Sequence, residues 1–157
     1  MWLLIHHGVL YVFTLNFSFR SEWDTKLKTL CDAVNESVDV VDFLAHSQQE
    51  ILKEIGQCVE ASQEKDPTSL DKAAAMISGR VQRIHDVVMA DMACYEPDYY
   101  VDRCKELTTE LNEIQLKQFA NTATRSVEEL TTTGEIDNEE LISSSTIIFS
   151  GVQDVYK

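Results

Sequence analysis

Glycine and proline are scarce, five and two among 157 residues, which leaves the backbone few places to turn. A β-rich domain needs a turn about every ten residues, so long helices are the remaining way to fold this chain. Cationic charge is scarce too: 13 Lys and Arg against 27 Asp and Glu give a formal net charge of −14. A surface of that sign repels a phosphate backbone, which argues against nucleic acid as a partner. A solvated helical exterior is the simplest source of the acidity. No CxxC pair occurs among Cys31, Cys58, Cys94 and Cys104, and no histidine lies near them at metal-ligand spacing. Each falls on or near an apolar helical stripe, where a free thiol acts as a small hydrophobe in a reduced, intracellular compartment. A glycine-rich phosphate loop, HExxH and GxSxG are all missing. Catalytic, metal-binding and cofactor-binding residues are therefore none, no small-molecule substrate is assigned, and the chain reads as a non-enzyme.

Residues 1–19 contain no Asp, Glu, Lys or Arg. A signal peptide would need a basic start and a small-residue cleavage site. A transmembrane span would need about 20 apolar residues, whereas His6, His7, Thr14, Asn16 and Ser18 dilute this one. The reading adopted is that residues 1–20 are an apolar leader foreign to the domain, which then runs over 21–157. The alternative is a membrane-anchored helical interaction protein that uses residues 1–19 as its anchor. His6 and His7 have no third ligand, and the sequons at Asn16 and Asn35 matter only in a secreted chain.

From Ser21 the pattern is helical. Ser21 with Asp24 forms a capping pair before an apolar face of Trp23, Leu27, Leu30 and Val34. Ser37 or Asp39 restarts the chain, and a second helix over about 40–62 aligns Leu44, Ile51, Ile55, Cys58 and Val59. Asp66-Pro67 opens a third helix with Leu70, Ala74, Ile77, Val81, Ile84, Val88 and Met92 on one stripe. Thr68 with Asp71 offers a second cap one turn later, and Gly79 either admits a neighbouring helix or is simply tolerated. Pro97, suited to a first helical position, precedes a fourth and longest helix over about 98–131. Its stripe is Val101, Cys104, Leu107, Leu111, Ile114, Phe119, Ala123, Val127 and Leu130. Gly134 stops it, and Asp137 with Glu140 caps a last helix carrying Leu141, Ile142, Ile148, Phe149, Val152 and Tyr156. That helix is still amphipathic at Lys157, so the domain is expected to be truncated there. Such helices with short links predict an all-α, antiparallel four-helix bundle with a short extra leading helix.

His85 beside Asp86, and the pair Glu50 and Glu54, lack the companions that catalysis or a di-iron site would require. Arg80 and Arg83, three apart and so on one edge of the third helix, are the more informative signal. They pair either with local carboxylates or, more sharply, with carboxylates of a neighbouring bundle.

The blocks Asp42-Phe43-Leu44-Ala45-His46-Ser47, Gln63-Glu64-Lys65-Asp66, Gly79-Arg80-Val81-Gln82-Arg83 and Tyr95-Glu96-Pro97 occur in an order and spacing that resemble the vinculin/α-catenin family. Trp23 with Leu30-Cys31-Asp32-Ala33-Val34, and the helix from Asp137 to Val155, extend the resemblance over about residues 21–157. The region resembled is the last bundle of the family's central, modulatory region. The resemblance implies a cytoplasmic adaptor of the cytoskeleton and adherens junction that links cadherin-bound β-catenin to actin filaments. It implies central bundles that hold one another closed until tension exposes a vinculin site in an earlier bundle. It also implies that Arg80 and Arg83 join salt bridges between bundles. A third basic residue common in the family is Ser78 here, which implies a weaker latch. The segments for β-catenin and actin lie outside this chain, so its direct partners would be the neighbouring bundles of the parent protein.

Overall fold

Four aspartates decide where the helices of the bundle begin. Asp39, Asp66, Asp98 and Asp137 each adopt an extended backbone and accept hydrogen bonds from amides of the following turn, satisfying donors that have no partner within the helix. The structure, a computed structural model, describes residues 22–30, 33–34 and 39–157. The helices are α1 over 22–30, α2 over Val40–Glu64, α3 over Pro67–Met92, α4 over Tyr99–Glu110, α5 over Leu116–Thr133 and α6 over Asn138–Tyr156. A π-helical turn, Leu111–Gln115, joins α4 to α5 without a break.

The chain divides between Val38 and Asp39. In the first unit Trp23, Leu27, Leu30 and Val34, expected to form an apolar face, are exposed. The cap at Ser21, His6 and His7, both sequons and the apolar leader lie outside the described residues.

In the second unit α2 lies against α3 and α6, and the α4–π–α5 helix lies against the same two. Short links between consecutive helices make neighbours antiparallel, so the fold is the expected all-α, antiparallel four-helix bundle. Two of the links close with a left-handed residue, Lys65 at φ 57° and Gly134 at φ 70°. The Gly134 amide donates to the Leu130 carbonyl, so the expected stop is in place. Inside the bundle, the α3 stripe from Leu70 to Val88 meets Leu44, Ile51 and Cys58 of α2, Leu111 and Phe119, and Leu141, Ile148 and Val152 of α6. Burial, reinforced by the nearby Glu54 carboxylate, pushes the Cys58 thiol up to about 11, which keeps it a neutral hydrophobe at ordinary pH.

Several local expectations are corrected. Pro97 precedes the helix, because Asp98 is the cap and Tyr99 the first helical residue. Asp66 caps α3, so the later pair Thr68 and Asp71 is not used. Glu140 does not reach back to its own cap but pairs with Arg125 of α5. Ile142 and Tyr156 are exposed, while Ser145 and Gly151 take inward positions on α6. Gly79 has nothing within 4 Å of where a Cβ would stand, so it is a tolerated glycine. The close approach falls at Gly151 instead, where a Cβ would overlap the Gln115 side-chain oxygen and stand 2.9 Å from Leu111 Cδ1.

The π turn accounts for the largest departure. Ile114 was expected on the core stripe and is 53% exposed, whereas Leu116, absent from that stripe, is buried. A π turn steps five residues rather than four per hydrogen bond. It therefore carries the inward position from Leu111 to Leu116 and turns Ile114 out. The Gln115 oxygen is left buried without a hydrogen-bond partner among the described residues.

The cap at Asp66 makes a pH prediction. The Ser69 hydroxyl, then the Ser69 and Thr68 amides, hold its carboxyl below the ordinary 3.8. A lowered folded value means the cap contributes fully above the ordinary range and is lost as pH falls through the lowered one. Exchange protection of the Thr68 and Ser69 amides, corrected for intrinsic rate, should decline on acidification below 3.8. Asp66→Asn should remove that pH dependence; an unchanged profile would mean the carboxylate is not what holds the turn.

Candidate functional site

The site that sequence singles out is the arginine edge of α3. Arg80 and Arg83 are three residues apart on one helix, yet their surroundings differ. Antiparallel pairing of α2 and α3 sets Arg80 opposite Glu54. The guanidinium binds that carboxylate side-on, with Nη2 3.0 Å from Oε1 and Nε 3.4 Å from Oε2. Glu54 is 1% exposed, so its charge has been taken out of water and needs the fork of Arg80. Glu50, one turn earlier on α2, stands 3.9 Å from the same guanidinium and 3.6 Å from Lys53 Nζ. The structure thus gives Arg80 a local, intra-bundle partner, the first of the two pairings considered from sequence.

Arg83 is half-buried and makes no ion pair among the described residues. Around it, the outer face of α3 is mixed: Met76, Gly79, Asp86 and Ala90 are all exposed. Ser78, at the position where the resemblance expects a third cation, turns its hydroxyl to the Ala74 carbonyl of its own helix, 2.9 Å away. His85 Nδ1 lies 3.3 Å from Asp86 Oδ1 on the exposed surface.

Two residues that sequence reasoning did not single out also tie helices together. Arg125 of α5 pairs with Glu140 of α6, and Glu129 lies 3.7 Å from its Nε. The pairing pulls the Glu140 carboxyl below its usual range and raises the Arg125 guanidinium. Ser62, at the end of α2, hydrogen-bonds Asn138 at the start of α6. The sequence carries no spacing signal for either contact, because both join residues brought together only by the hairpin and the closing of the bundle.

Comparison with known proteins adds to this geometry. Residues 14–157 match the vinculin family. The chain is 33% identical to catenin alpha-2 of Xenopus laevis over 141 residues, which cover 88% of this chain and 15% of that protein. Against catenin alpha-2 of Homo sapiens the identity is 32% over the same length and shares. The chain therefore spans about 15% of the length of these curated relatives.

Proposed function

The chain belongs to the vinculin family, and from that premise we propose that it is one bundle of an α-catenin-like adaptor linking the cadherin–β-catenin complex to actin filaments. The family match over residues 14–157 is the observation that carries this reading. A bundle of this kind works by holding surfaces rather than by chemistry. β-Catenin, actin and vinculin would be partners of the parent protein through segments outside this chain, at the cytoplasmic face of adherens junctions. Within the parent, residues 21–157 would form the last bundle of the central region.

The proposed work of this bundle is regulatory contact with the neighbouring bundles through the edge bearing Arg80 and Arg83. Arg80 is already committed to Glu54, so it supports that edge from behind. Arg83 makes no ion pair among the described residues and has its charge to offer, beside the exposed Met76, Gly79 and Ala90. The alternative of an anchor in residues 1–19 falls outside the described residues; among those described, no helix is long and apolar enough to cross a membrane.

Titration of the chain against a purified fragment carrying the two preceding bundles of its parent tests this proposal. Arg83→Glu should weaken binding by about tenfold or more, since reversed charge across an interface repels where it formerly attracted. Unchanged affinity would remove Arg83 from the contact, and no binding by the unaltered chain would remove the inter-bundle role.

A further inference from the structure

We propose that Tyr99 is the acceptor of a tyrosine phosphorylation site built around the link between α3 and α4. This link, Ala93 to Asp98, is the longest between described helices of the bundle. It carries an unusual surface: Tyr95, Tyr99 and Tyr100 are 56%, 75% and 80% exposed. Large aromatics normally hide most of their area. Tyr99 and Tyr100 meet only edge to face, with ring centroids 5.6 Å apart. None of the three phenol oxygens makes a hydrogen bond among the described residues.

Tyr99 is distinguished from its neighbours by position. Tyr95 and Tyr100 both line an apolar pocket of about 380 Å³, with Met92, Val101, Cys104 and Leu107. Tyr99 does not line it. It directly follows Glu96-Pro97-Asp98, which is non-helical, and Asp98 is fully extended at φ −145°, ψ 178°. A kinase must lay its substrate backbone out straight before the hydroxyl can reach the nucleotide, and here the residue just before the tyrosine already is. Glu96 and Asp98 before the tyrosine and Asp102 after it give the segment a local negative charge. That charge complements a substrate groove lined by basic residues.

The reaction balances with Mg-ATP as co-substrate. The Tyr99 phenol oxygen attacks the γ-phosphorus, forming an O–P bond, as the bond to the β-phosphate oxygen breaks and ADP leaves. The phenolic proton passes to the kinase's carboxylate base. The phosphate so installed lies one helical turn before Arg103, whose present partner is the exposed Glu106 at 3.3 Å. A group bearing close to two negative charges competes for that guanidinium better than a single carboxylate. Phosphorylation then draws Arg103 away from the rim of the pocket it lines.

The test is incubation of the folded full chain with an acid-preferring tyrosine kinase catalytic domain and Mg-ATP. Intact mass and fragmentation read the site, and an acidic control peptide establishes that the kinase is active. The expected result is a single phosphate at Tyr99. Tyr99→Phe should lose nearly all incorporation, while Tyr95→Phe and Tyr100→Phe retain it. Each variant is first shown to keep the helical circular dichroism of the unaltered chain. Incorporation that persists in Tyr99→Phe, that appears only after heat denaturation, or that fails altogether overturns the proposal.

Discussion

Arg80→Met should destabilise the bundle by about 3 kcal/mol at neutral pH, the low end of the range for breaking a buried ion pair from one side. The reason lies with the partner left behind. Glu54 is 1% exposed, and without the guanidinium its carboxylate is buried with neither a counter-charge nor a replacement donor. Glu50, 3.9 Å from the same guanidinium in the intact protein, would then face it as a like charge one turn away. The low end applies because a quarter of the Arg80 side chain is exposed, so water can partly replace it. Glu54→Leu combined with Arg80→Met should recover most of the loss, since an apolar pair leaves no orphaned charge. Urea unfolding at constant m-value reads both. A loss below about 1 kcal/mol for Arg80→Met would place the pair among surface salt bridges of little weight. The outcome bears on function: a charge reversal at Arg80 that weakens bundle docking reports on folding first, whereas Arg83, with no ion pair to break among the described residues, gives the cleaner reading.

Phe119→Ala should cost about 3–5 kcal/mol, a large part of the whole stability of a domain of this size. Phe119 is fully buried in the first turn of α5, packed in the cluster that joins α3, the π turn and α6. Truncation removes its transfer free energy and leaves a cavity that the surrounding side chains only partly refill. The informative comparison is Ile114→Ala, five residues earlier. In an unbroken α-helix Ile114 would follow Leu111 onto the core stripe, and its loss would cost about 2–5 kcal/mol. With the π turn it points outward, and its truncation should change stability by no more than about 0.5 kcal/mol. Equal losses in the two variants under urea would mean that the helix runs straight in solution.

Much of the bundle was legible because its signals are local. An aspartate before a helix meets the amides of the next turn whatever the rest of the chain does, so Asp66 and Asp137 could be named in sequence, and Asp39 as one of two candidates with Ser37. Asp98 was not legible as the cap, since Pro97 also favours a helix start and only the backbone shows which one closes it. The α3 stripe was legible for the same reason: a period near 3.6 allows one buried face. On the next helix the same rule misled. The five-residue step from Ile114 to Phe119 does not by itself signal a π turn, because such a turn depends on what packs against it. Here that partner is Gly151 on α6, 36 positions beyond Gln115.

The arginine edge divides in the same way. Sequence determined that Arg80 and Arg83 share a helix edge in an acidic chain, and the resemblance in their surrounding blocks pointed to the family. Only the tertiary structure decided that their surroundings differ, since the antiparallel packing of α2 on α3 sets a buried Glu54 against Arg80 and leaves Arg83 without an ion pair among the described residues. Helix caps and apolar stripes are properties of neighbours in the chain. The partner of a charge depends on which helices come together, and that is settled when the bundle closes.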